Sequence, residues 1–119
     1  MSHDLLDRAR ELITAREGLS GVWPRAAAFL TRQALEEALA DLWRFTHPGM
    51  EGASWSTQLA CLHEVLSDPP LVSDVRSAWA SLSRACHYHH YELDPTYAEL
   101  ERWMGQTERL ITATRGMAG

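Results

Sequence analysis

The chain contains no lysine and no asparagine, and all eleven of its basic residues are arginine. Both missing residues have A-rich codons, so the expected host is a GC-rich bacterium. Cys61 and Cys86 are the two cysteines, too few for a disulfide framework, and buried thiols in a reducing compartment are expected instead. No apolar run approaches the roughly 20 residues that cross a bilayer. The opening Met1-Ser2-His3-Asp4 also lacks the basic stretch of a secretory leader. These absences predict a cytoplasmic protein with no membrane association. Apolar and polar residues nowhere alternate long enough to make a strand, which excludes a sheet-based domain. A net charge of −5 argues against coating nucleic acid nonspecifically, because such binding needs many phosphate contacts. It leaves room for a single phosphate-facing site.

What is present is helical. The 119 residues, 45% of them hydrophobic, make one domain spanning 1–119, large enough to bury about two-thirds of its unfolded surface. Leu5, Leu6, Ala9, Leu12 and Ile13 form one stripe of a first helix over about 3–17, ended by Gly18 and Gly21. Pro24 suits the first turn of a second helix. That helix carries Ala27, Leu30, Ala34, Ala38, Leu42 and Phe45 inward and breaks at His47-Pro48-Gly49. Ser54 caps a short third helix with Trp55, Leu59, Leu62, Val65 and Leu66, stopped by Asp68-Pro69-Pro70. A fourth helix follows with the seam Val72, Val75, Trp79, Leu82 and Cys86, running towards Tyr88 or Tyr91. Asp94-Pro95 starts a fifth, which turns Tyr97, Leu100, Met104, Thr107, Ile111 and Thr114 inward and stops at Arg115-Gly116. The fold class is all-α, an antiparallel bundle of four to five helices joined by short connections.

Chemistry-bearing residues concentrate in Arg84-Ala85-Cys86-His87-Tyr88-His89-His90-Tyr91-Glu92, which holds three of the six histidines. At about 100° per residue, Arg84 stands off the buried seam and shares a face with His87, Tyr88 and Tyr91. His89 lies about 140° around from Arg84. The two converge on one ligand only if the helix loosens before Pro95 or two copies face each other. A guanidinium binds phosphoryl oxygens bidentately without losing its proton, and an imidazole moves a proton near neutral pH.

Arg84 and His89 reproduce the R-x-x-x-x-H signature of the HEPN superfamily (higher eukaryotes and prokaryotes nucleotide-binding domain), and His89-His90-Tyr91 extends it to R-x-x-x-x-H-x-Y. The wider stretches Trp23-Pro24-Arg25-Ala26-Ala27, Arg32-Gln33-Ala34-Leu35-Glu36 and Ser83 through Leu93 resemble an actinobacterial branch of it. The resemblance implies a small helical bundle and a metal-independent endoribonuclease, in which Arg84 binds phosphate and His89 is the acid or base. His87 and His90 are auxiliary candidates. It further implies a homodimer with its site across the interface. The longer motif resembles that of toxins whose antitoxin is a minimal nucleotidyltransferase modifying the tyrosine, here Tyr91. RNA or a nucleotide is the expected ligand, without metal or other cofactor. Many family members have a polar residue where this chain has Ala85, so the alternative is a noncatalytic nucleotide-, RNA- or protein-binding module on the same fold.

Competing features read as structural. His87, His89 and His90, even with Cys86, Cys61 or His63, lack the spacing of a zinc site. Arg84 has the alternative of pairing with Glu92, and Tyr91 that of a half-buried packing residue. His3, His47 and His63 stand alone as surface, turn or helix-side residues. Trp43, Trp55, Trp79 and Trp103 are assigned to the core and the dimer interface, and Glu36 and Glu37 to solvent. Arg25, Arg32, Arg76 and Arg102 are further candidates for the positive charge of an RNA cleft.

Overall fold

A computed structural model describes residues 2–15, 23–87 and 93–118, and among them are five α-helices and no strand. They are α1 (Ser2–Thr14), α2 (Trp23–Thr46), α3 (Trp55–Ala60), α4 (Pro69–Cys86) and α5 (Tyr97–Ala118). None of them is long and apolar enough to cross a membrane.

The longest, α2, is the spine, packing against α1, α4 and α5. Its central position explains why the single stripe expected of it is too narrow. Leu35, Leu39 and Trp43 are buried alongside Ala27, Ala34, Ala38 and Leu42, because neighbours cover the helix from several sides. Alanines at 27, 28, 34 and 38 let those neighbours approach closely, and Leu6, Leu62, Val75, Leu82, Leu100, Met104 and Leu110 fill the space between. Phe45, expected inside, is instead 52% exposed, standing on the last turn of α2 where the adjoining helices no longer cover it. Gly49 then takes φ +108°, a left-handed turn that favours glycine, and a 3₁₀ turn over Met50–Gly52 follows.

Ser54 caps α3 as expected, its hydroxyl accepting from the Thr57 amide at 3.2 Å. This helix is shorter than its apolar pattern, giving way at Cys61 to a 3₁₀ turn over Leu62–Glu64 that still buries Leu62. Asp68, expected to stop the third helix, also starts α4, with Oδ1 accepting from the Leu71 amide at 3.2 Å. Pro69 and Pro70 occupy the first turn, where no amide partner is lost.

The outer helices differ from expectation at their ends. The α4 helix stops at Cys86 rather than at Tyr88 or Tyr91, because His87 is already extended at φ −90° and ψ 126°. On the other side, α5 begins two residues after Pro95. Thr96 and Glu99 satisfy each other's backbone reciprocally: the Thr96 amide donates to Glu99 Oε1 at 3.0 Å and the Glu99 amide to Thr96 Oγ1 at 3.1 Å. This capping box replaces the cap expected from Asp94, which is drawn elsewhere. Tyr97, expected inside, is 41% exposed, and α5 runs through Gly116 to Ala118 instead of ending there.

Candidate functional site

The last turn of α4 and the approach to α5 enclose a cleft of about 130 Å³, lined by Arg25, Ser81, Arg84, Ala85, Leu93, Pro95, Glu99 and Trp103. Arg84 is exposed on its rim and forms no hydrogen bond or ion pair with a described residue. It stands off the buried seam as its helical angle predicts. The seam is completed below it by buried Val75, Ala78 and Leu82, with Trp79 half-buried.

His87 follows as the residue that terminates α4, exposed, its amide donating to the Arg84 carbonyl at 3.2 Å. The remaining motif residues, His89, His90 and Tyr91, lie outside the described residues, as do Tyr88 and Glu92. The described structure therefore sets Arg84 on the rim of the cleft and His87 at the end of α4, outside the cleft lining. Among the described residues no cluster of histidine, cysteine and carboxylate side chains suits a metal ion.

Arg25 occupies a position that sequence reasoning noted only as a candidate source of charge. From the first turns of α2 its Nη1 donates to the Ala85 carbonyl at 3.0 Å and to the His87 carbonyl at 3.4 Å. Its Nε lies 2.9 Å from Asp94 Oδ1. One guanidinium thus satisfies carbonyls that the end of α4 leaves without helical partners and ties them to the chain entering α5. A cation is also the favourable charge at a helix C-terminus. Arg25 thereby holds the flanks of the histidine-rich segment on both sides. No local pattern announces this, because the partners are separated from Arg25 by 60 and 62 positions.

The other arginine candidates are used differently. The Arg32 guanidinium sits 4.9 Å from the centre of the Trp79 ring, a cation–π contact, and pairs with Glu36 at 3.4 Å. Glu36, expected in solvent, is half-buried by that pairing. Arg76 donates to the Leu59 and Ala60 carbonyls at 2.9 and 3.3 Å, closing the end of α3. Arg102 is exposed on α5 and is not part of the cleft wall. Trp43 and Trp103 are core residues, whereas Trp55 and Trp79 are half-buried and stack on each other at 4.8 Å.

Cys86, on the same last turn of α4, is a free thiol whose pKa is pushed up by burial. A hydrogen bond from Arg32 and the positive charge of Arg32 and Arg25 oppose that rise without overcoming it. Cys61 is likewise a free, partly buried thiol. The isolated histidines are surface residues. His3 meets Asp4 and Arg115, His63 meets Glu64 and the Ala60 carbonyl, and His47 lies edge-on to Trp43.

The cleft thus offers one exposed guanidinium, a second committed to backbone and Asp94, a carboxylate on Glu99, and an apolar wall from Leu93, Pro95 and Trp103. Compared with family models, with curated proteins and with solved structures, the chain gives no match in any of the three.

Proposed function

We propose that this chain is a HEPN-like bundle that acts on RNA as a metal-independent endoribonuclease, with Arg84 holding the phosphate and His89 moving the proton. The observation that carries the reading is the state of Arg84. It is an exposed guanidinium with no partner among the described residues, at the rim of a cleft and at the start of the histidine-rich segment.

By contrast, Arg25 and Arg76 are committed, Arg25 to Asp94 and two carbonyls and Arg76 to the carbonyls closing α3. An exposed guanidinium keeps its forked donors for a planar anion such as a phosphodiester. In the reaction, the 2′-hydroxyl oxygen attacks phosphorus and the 5′-oxygen leaves, giving a 2′,3′-cyclic phosphate and a 5′-hydroxyl end. His89, by its spacing from Arg84, takes the proton from the 2′-hydroxyl or supplies one to the leaving oxygen. Arg84 neutralises charge that builds on the non-bridging oxygens. His87 and His90 assist in holding the anion.

Two copies in a C2 dimer would face their motif segments towards each other, bringing Arg84 and His89 to one phosphate. Within the same reading, Tyr91 is the acceptor for a nucleotidyltransferase antitoxin.

The test is cleavage of labelled RNA in excess EDTA by wild type, Arg84→Ala and His89→Ala, each shown by circular dichroism to be folded. Cutting by wild type and by neither variant is the expected result. Cutting that persists in Arg84→Ala overturns the assignment.

A second reading has its own observation. Because Arg25 is bound to Ala85, His87 and Asp94, and Glu99 adds a negative charge, the cleft is poorer in available cations than a cleaving site that holds phosphate by several side chains. On that reading the same cleft binds RNA or a nucleotide without cutting. Arg84-dependent binding with no cleavage is its signature.

A further inference from the structure

We infer that the cleft beside Arg84 reads one base of a single-stranded RNA through Glu99, and that it prefers cytosine to uracil. The inference rests on the proposed role of Arg84 as a phosphate holder and adds to it the chemistry of the base.

Arg84 and Glu99 line the same cleft of about 130 Å³, yet they form no ion pair. A guanidinium and a carboxylate that share so small a space without pairing leave each free for a ligand of mixed polarity. The volume corresponds to about four water molecules, well below the several hundred Å³ of pockets that enclose a whole drug-sized ligand. It accommodates one small ring with its phosphate outside.

The carboxylate is the informative group. Besides capping α5, it brings to the cleft a negative charge that repels the phosphoryl oxygens Arg84 attracts, so a ligand seated beside it must offer it something other than phosphate. One of its oxygens, Oε1, accepts the Thr96 amide at 3.0 Å and so fixes the side chain at the head of α5. The carboxylate makes no further polar contact beyond this capping box with Thr96 among the described residues. An ionised carboxylate accepts hydrogen bonds and donates none. The ligand group it faces must therefore be a donor.

Cytosine presents an exocyclic amine where uracil presents a carbonyl oxygen, so a carboxylate attracts the first and repels the second. Purines carry amines too; setting cytosine against uracil tests the amine at constant ring size. Leu93, 94% exposed at the rim, gives the ring an apolar side chain to lie against, backed by buried Pro95 and Trp103. A base seated there also covers a leucine otherwise left in water.

The experiment compares binding of fluorescein-labelled hexamers of cytidylate and uridylate, 2′-O-methylated so that they resist cleavage, by anisotropy, using full-length wild type, Glu99→Gln and Arg84→Ala. Glutamine keeps the capping box with Thr96, so α5 retains its start, and it offers both a donor and an acceptor to the base. Wild type is expected to bind the cytidylate hexamer on the order of ten-fold more tightly. In Glu99→Gln uridylate binding rises and the ratio falls to about one; Arg84→Ala weakens both hexamers alike.

No preference in wild type, or one unchanged in Glu99→Gln, overturns the base-reading inference while Arg84-sensitive binding preserves the phosphate site. Absence of Arg84-sensitive binding to either hexamer overturns the proposed RNA site and the inference with it.

Discussion

The two ends of α4 are closed in opposite ways. At its start, Asp68 caps the helix three residues away and two prolines fill the first turn, so every partner is a chain neighbour. At its finish, the carbonyls of Ala85 and His87 are taken by Arg25, which belongs to another helix some sixty positions earlier. A locally closed end stands on its own propensity. A remotely closed end depends on the packing of α2 against α4, and the candidate site lies at that end. The cleft is held in place by tertiary structure rather than by turn chemistry.

Substitutions separate the two kinds of closure. Arg25→Ala should have the largest effect on stability, a loss of about 2 kcal/mol in urea unfolding, because a largely buried charged donor serving two carbonyls and a carboxylate is removed. Arg25→Lys should recover only part of it, since an ammonium cannot reproduce the fork. Asp68→Ala should cost about 1 kcal/mol, the usual worth of a side-chain cap, and leave the cleft intact. Equal losses in the two variants, with RNA binding unaffected in both, would erase the distinction between the ends.

Smaller effects sharpen it. Asp94→Ala should cost only a few tenths of a kcal/mol at moderate salt, because its carboxylate is well exposed and Arg25 keeps its carbonyls. Cys86 reports on the same end through pH. Its raised pKa means that ionisation is harder in the folded protein than in the unfolded chain. Its contribution to stability is therefore complete below the ordinary thiol range and is lost as pH climbs through the raised value. Cys86→Ala should flatten that alkaline decline in a series of melting curves. Arg84→Ala should leave the melting temperature unchanged, since the exposed guanidinium forms no hydrogen bond or ion pair with a described residue. A clear fall would show that Arg84 is a structural residue.

The same contrast accounts for how much was legible in the sequence. The seam of Val72, Val75, Trp79 and Leu82, the cap at Ser54 and the Ala27, Ala34, Ala38 and Leu42 part of the α2 stripe follow from spacing within one element, and the helical bundle follows from them; in the sequence Asp68 reads only as the stop of the third helix. The errors fall where distant residues intervene. Asp94 has the residue type of a helix cap before Pro95, but Arg25 engages it and Thr96 with Glu99 starts the helix instead. Phe45 has the right period yet lies beyond the helices that would bury it.

The candidate site divides similarly. The exposure of Arg84 follows from its angle on α4, whereas the enclosure of its cleft by Arg25, Glu99 and Trp103 requires three helices to be in place. Sequence separation hides that arrangement. His89, His90 and Tyr91 lie outside the described residues, so their part rests on the motif.

The Arg25 clamp also bears on when the cleft comes into being during folding. Contacts across 60 and 62 positions form only after a long loop has closed, and they reward that closure late. The helices α2 and α4 must already have docked before Arg25 finds the Ala85 carbonyl. Loss of the clamp should therefore quicken unfolding more than it slows folding. A chain caught partway would carry Arg84 on a helix with no cleft beside it, so the proposed RNA site would mature with the last contacts of the fold.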